Sequence, residues 1–165
     1  MIDDHLKLLG NVEGKRVLEL GFSSSSSAVE LASRGAYVIG VDTSDARLAA
    51  VRQVADQEEV KVELHRSDLA ELAFLRAETV DMVMSDLALD AVPDLDRVFR
   101  QVHRVLRSDG IFVFSLPHPA AGEQSYFEQR TIGELFGGLG RANFRVDLLV
   151  EPEPTLVVRA RKLGI

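Results

Sequence analysis

The stretch 16–42, RVLELGFSSSSSAVELASRGAYVIGVD, constrains this chain more than any other. A short apolar run ends at Leu20 and halts at Gly21. Small residues follow, and Ala28, Val29, Leu31 and Ala32 then recur at helical spacing up to Gly35. A second apolar run, 37–41, ends on Asp42. Parallel strands need a long crossover, and the helix supplies one, so the stretch reads as a βαβ unit. The helix start offers free backbone N–H groups to an anionic part of a ligand. An acid about 20 residues beyond the glycine turn suits a ribose diol, because a carboxylate can accept from both hydroxyls. The unit reads as a holder for a nucleoside.

The same alternation continues to the end of the chain. Thr43, Ser44 and Asp45 offer capping hydroxyls and a first-turn carboxylate, and Leu48, Val51, Val54 and Ala55 mark a helix to about Gln57. Residues 60–64 alternate apolar and charged side chains as a third strand would, and a short helix is expected over 71–77. Residues 80–84 form a buried fourth strand ending at Ser85 and Asp86. After Pro93, Leu95, Val98, Phe99, Val102, Val105 and Leu106 share one helix face. Arg97, Arg100, Arg104 and Arg107 read as the opposite, solvated face. A fifth strand, 111–116, is stopped by Pro117 and Pro119. Thr131 and Glu134 make a capping-box pattern, and strands 144–150 and 156–160 close the chain. A short helix is expected over 2–9. One domain, 1–165, is therefore expected, with 14–162 as its core and 1–13 as an N-terminal helical appendage.

Strands alternating with helices predict an α/β fold, a Rossmann-like three-layer sandwich whose mostly parallel sheet carries an antiparallel strand at one edge. Ligands in such sheets lie beyond the C-terminal ends of the strands. Gly21, Asp42, Asp68, Ser85, Asp86 and residues 116–119 all fall at that edge. A formal charge of −7 argues against nucleic acid as a main partner, because phosphate binding needs a basic surface. With no cysteine, disulfides and thiolate-held zinc are excluded, and His5, His65 and His103 match no metal-ligand spacing, so no metal site is expected. No apolar run reaches the length of a membrane span and the N-terminus is too polar for a signal peptide, so a cytoplasmic location away from membranes is expected.

In ordered blocks, the sequence from about Gly14 to Lys162 resembles the class I S-adenosylmethionine-dependent methyltransferases of the small-molecule type. Glu19-Leu20-Gly21 matches the start of that family's glycine motif, Asp42 stands at its ribose-binding acid, and Ser67-Asp68-Leu69 at its adenine contact. Residues 80–85 resemble its fourth-strand motif, and 102–110 with 114–119 its fifth strand and the approach to it. The resemblance implies a seven-stranded sheet with the last strand antiparallel, and S-adenosylmethionine as cofactor. The second and third motif glycines are here Ser23 and Ser25, and Phe22 fills a usually small position. Added β-carbons narrow the turn, while serine hydroxyls can donate to a carboxylate and cap the helix.

The implied cofactor set is Glu19, Gly21, Phe22, Ser23, Ser25, Asp42, Thr43, Ser67, Asp68, Leu69 and Ser85. Several members carry a plainer reading as well. Asp42 could serve the next helix as an N-cap partner, and Glu19 could be a structural carboxylate that orients the turn. His118, between two prolines at the end of the fifth strand, is the leading general-base candidate, with Asp86 and Asp90 as rivals; the plainer reading of His118 is a loop histidine. The expected function is methyl transfer to a small-molecule nucleophile; the alternative is a non-catalytic binding module of the same fold. With only 120–129 available as a lid, a homodimer or a partner chain completing the site is a further expectation.

Overall fold

The computed structural model describes residues 2–22, 27–126 and 129–164. Its strands are β1 (Arg16–Leu20), β2 (Tyr37–Asp42), β3 (Val62–Arg66), β4 (Val80–Asp86), β5 (Leu106–Pro117), β6 (Phe144–Val150) and β7 (Thr155–Lys162). The helices are α1 (Ile2–Leu9), α2 (Ala28–Ser33), α3 (Asp45–Gln57), α4 (Leu95–Val105) and α5 (Ile132–Arg141), with one 3-10 turn, Ala88–Ala91. The strands form one sheet in the order β3-β2-β1-β4-β5-β7-β6. β1 to β5 pair in parallel, and β7 runs antiparallel between β5 and β6. The antiparallel strand thus lies one place in from the edge, and β6 forms the edge itself.

Alternation along the strands divides the core into two layers. Leu18, Leu20, Val83, Phe112 and Phe114 face a layer shared with α4 and α5 through Leu95, Val98, Phe99, Val102, Leu135 and Leu139. Val17, Val38, Met82, Met84 and Val113 face the other, shared with α1, α2 and α3 through Leu6, Leu9, Leu31, Leu48 and Val51. Phe99, Phe112, Phe114 and Phe144 cluster in the first layer in tilted and edge-on pairs with ring centroids 4.8–6.0 Å apart. The helices start where side chains take up free amides. Ser44 and Asp94 accept from Arg47 N and Arg97 N, and Thr131 and Glu134 form both bonds of a capping box.

Four expectations change. The fifth strand, expected over 111–116, begins at Leu106, directly after α4, so Leu106 belongs to the strand and not to the helix face. The third strand lies two residues later than its apolar pattern suggested, over Val62–Arg66. Residues 71–77 form turns instead of a helix. The carbonyls of Leu72 and Leu75, which a helix would use internally, accept from the Arg104 guanidinium at 2.8 Å each. The arginines of α4 are therefore not one solvated face: Arg104 fastens this segment, Arg97 pairs with Glu71, and Arg107 lies on β5 and pairs with Asp81.

Candidate functional site

The turn after β1 is built around Gly21 and Asp42. Gly21 has φ +74°, and its N–H donates to Val41 O at 2.7 Å. A β-carbon there would stand 2.4 Å from Ala88 Cβ and 3.2 Å from Leu69 Cδ1, so conformation and proximity both require glycine. The next amide, Phe22 N–H, donates to Asp42 Oδ2 at 2.7 Å. Asp42 Oδ1 accepts from Ser44 N–H at 2.8 Å and from Arg47 Nε at 3.1 Å. Asp42 is 2% exposed, so this carboxylate fixes both the turn after β1 and the start of α3.

Ser23 and Ser25 lie outside the described residues. Beyond them, Ser27 N–H donates to Glu19 Oε1 at 3.1 Å, and Glu19 is buried, so this carboxylate orients the entry into α2. The Ser27 side chain makes no cap bond to the helix. Its Oγ is fully buried and has no partner among the described residues. A buried hydroxyl left over at this turn fits a ligand group arriving there.

On the far side of the cleft, Asp68 Oδ1 accepts from Ala70 N–H at 2.8 Å and closes a turn that leaves Leu69 buried. Ser67 Oγ donates to Glu71 O within the same turn. Thr43 is exposed at the rim. Gly21, Phe22, Asp42, Thr43, Asp68 and Leu69 all line one cavity of about 300 Å³ at the C-terminal ends of the strands. The 3-10 turn forms its remaining wall through Ala88 and Ala91, preceded by Leu87 in the left-handed region at φ +57°. Arg47 also lines it. The sequence reading missed Arg47 and Ala88; the only signal for Arg47 is its place in the first turn after the β2 acid. A broader hollow of about 930 Å³, lined in part by Arg16, Tyr37, Lys61 and Asp81, opens at the opposite ends of the strands, away from the edge where such sheets bind ligands.

The strand ends beside this cavity are tied up internally. Ser85 Oγ donates to Leu20 O at 2.7 Å, which joins β4 to β1. Asp86 Oδ1 accepts from Ser115 Oγ at 2.8 Å and lies 3.8 Å from Nε2 of the buried His5 on α1. His118 Nδ1 accepts from Ala120 N–H at 3.0 Å, so its Nε2 carries the proton and donates to Glu151 at 2.8 Å. With its N–H also donating to Pro154 O, His118 clamps the end of β5 to the loop before β7. The geometry favours the loop-histidine reading. Among the described residues, no three His, Asp or Glu side chains converge as a metal site, and no helix is long and apolar enough to cross a membrane.

Sheet order, glycine turn and strand-end acids together define a nucleoside-binding protein of the doubly wound class. The methyltransferase domain family matches residues 18–114, more than half of the chain. The chain belongs to the class I S-adenosylmethionine-dependent methyltransferases, and the cofactor of that family is S-adenosylmethionine. It is 34% identical over 102 residues to a ubiquinone biosynthesis O-methyltransferase of Hahella chejuensis, a match covering 62% of this chain and 43% of that protein. The chain thus spans less than half the length of that curated relative. Among solved structures it resembles an S-adenosylmethionine-dependent methyltransferase of Mesorhizobium loti, with 26% identity, a TM-score of 0.87, and coverage of 97% of this chain and 96% of that one. The cyclase SpnF shares the fold, with 17% identity, a TM-score of 0.84, and coverage of 99% of this chain and 80% of that one.

Proposed function

We propose that this protein transfers a methyl group from S-adenosylmethionine to an oxygen of a small hydroxylated acceptor. The observation that carries the reading is the convergence of Gly21, Asp42, Asp68 and Leu69 on one cavity at the C-terminal edge of the sheet. When bound, S-adenosylmethionine supplies an activated methyl on a sulfonium, so the chain's own task is alignment and exclusion of water. Asp42 receives the ribose hydroxyls, and the 67–69 turn, through the Asp68 carboxylate and buried Leu69, holds the adenine. The Gly21–Phe22 turn lets the protein backbone come close to the ligand, Ser27 offers its buried hydroxyl to the methionine end while Glu19 holds the turn in place, and Ser23 and Ser25 are assigned to that end by their motif positions alone. Thr43 borders the ribose, and Ser85 fixes β4 against β1 beneath the acceptor. Asp86, which already accepts from Ser115, and His118, engaged on both ring nitrogens, are the candidates to hold the acceptor's proton.

The oxygen acceptor is supported by the O-methyltransferase relative. The glycine contact and both acids kept around the cavity support the catalytic reading over a non-catalytic module. We also read the β6 edge, where Leu149, Val150 and the neighbouring Phe136 are exposed, as the surface for a second copy, to be checked by analytical ultracentrifugation.

Titration calorimetry with S-adenosylhomocysteine and with NAD tests the reading. The expected result is binding of S-adenosylhomocysteine alone, lost in Asp42→Ala. Silence toward both ligands overturns it. Transfer itself is read by mass spectrometry as a gain of one methyl group on members of a panel of hydroxylated aromatic acids.

A further inference from the structure

The Asp42 carboxylate is already crowded. A carboxylate offers about four lone-pair positions. Oδ2 accepts from Phe22 N–H, and Oδ1 accepts from both Ser44 N–H and Arg47 Nε. A ribose presents two O–H donors and needs two of those positions. The amides of Phe22 and Ser44 are backbone groups that shape the turn after β1 and the start of α3, and they cannot leave without undoing both. Arg47 is different. Its side chain is 53% exposed, it lines the same cavity as Asp42, and it is anchored only through the first turn of α3. Asp45, in the first turn of the same helix, is occupied by Arg66 at 2.9 Å, and Arg47 Nε pairs with Asp42 at 3.1 Å.

We propose that Arg47 is an internal competitor for the ribose-reading carboxylate and thereby sets the affinity of the site for the nucleoside. The inference rests on the S-adenosyl reading of the cavity. When the ribose arrives, one hydroxyl takes the open position on Oδ2 and the other takes the place of the guanidinium on Oδ1, while the two backbone donors stay. The exchange lets the site hold its carboxylate oriented before the ligand comes, at the expense of affinity once it does. A charge-assisted bond to a half-exposed partner is modest in water. Its removal should therefore tighten binding about three- to tenfold.

The test is calorimetry with S-adenosylhomocysteine on the wild type and on Arg47→Met, which keeps an unbranched apolar stem and loses the charge and the donors. Thermal melting checks that both proteins are folded. Three results are expected. The variant binds about three- to tenfold more tightly. Wild-type affinity rises from low to high salt as the ion pair is screened, and that of the variant does not. The gain shrinks for the 2′-deoxy analogue, which brings one hydroxyl fewer to the carboxylate. Equal or weaker binding by a folded Arg47→Met, beside a wild type that binds, overturns the inference and leaves the cofactor reading standing. Silence of both proteins overturns the cofactor reading and the inference with it. Binding by the variant alone supports both.

Discussion

The ring of Phe22 lies where the side chain of residue 40 would be. A β-carbon on Gly40, in the middle of β2, would stand 2.5 Å from Phe22 Cζ, 3.1 Å from Cε1 and 3.0 Å from Leu64 Cδ2. Phe22 is 2% exposed in the layer beneath α2 and α3, so its bulk goes into the core and its amide remains on Asp42. The bulk of Phe22 at a usually small turn position is accommodated by a glycine on the neighbouring strand. Gly40→Ala is expected to lower stability by about 1–3 kcal/mol through overpacking and to weaken S-adenosylhomocysteine binding by moving the Phe22 amide. Adding Phe22→Leu should return part of both losses, which a double-mutant cycle by urea denaturation and calorimetry reads directly.

Arg104 is expected to matter more than a surface arginine does. Its guanidinium holds the carbonyls of Leu72 and Leu75 and also meets Gln101 Oε1. Arg104→Met keeps the stem over α4 and leaves both carbonyls without that donor. A loss of about 1–3 kcal/mol is expected, with new proteolytic cleavage confined to 70–79. Cleavage spread over the whole chain would contradict the assignment of this contact to one segment.

This segment also marks how far the sequence could be read. Residues 71–77 are good helix formers, and nothing local says that Arg104, 29 residues beyond Leu75, takes the carbonyls the helix would need. The arginines of α4 share a polar face in the heptad pattern, but periodicity cannot tell water from a neighbouring loop. The βαβ unit, α4 and the capping box at Thr131 were legible because strand and helix periods and cap chemistry are local properties. In the site, Gly21, Asp42 and Asp68 announced themselves by standing at strand ends. Gly40, Ala88 and Arg47 did not, because each acquires its role from a residue distant in sequence or from the cavity it borders.

His118 is expected to behave as a clamp. His118→Gln should lower the melting temperature and loosen the 151–154 loop while leaving the shape of the pH–rate profile of methyl transfer unchanged. Glu151→Gln, which weakens the same bond from its other end, should do likewise. Disappearance of an acid limb in His118→Gln, with the limb intact in Glu151→Gln, would restore the histidine as a proton acceptor.

Asp147 sets an acid-sensitive point in the last hairpin. It occupies the irregularity in β6, between the pairs Val146–Ala160 and Leu148–Arg159, and reaches Arg159 Nε at 2.8 Å and Arg161 Nε at 2.7 Å. Its partial burial alone would raise the carboxyl's pKa, but the bonds and charges of the two arginines outweigh it and hold the value below 3.8. A depressed folded value contributes stability that is complete above the ordinary carboxylate range and fades as the pH falls through the lower folded value. The difference in urea midpoint between the wild type and Asp147→Asn should therefore be level from neutral pH down to about 4 and shrink below it. A difference that grows on acidification would contradict the pairing.

The position of β7 carries a consequence for how the molecule comes into being. Residues 155–162 slot between two strands already made, and Lys162, the last residue of β7, donates to Leu106 O at the foot of β5. Until those residues leave the ribosome, the phenylalanine-rich fifth strand has a bare flank, open to any passing extended segment. A chain truncated before residue 155 should then yield an aggregate in place of a folded domain.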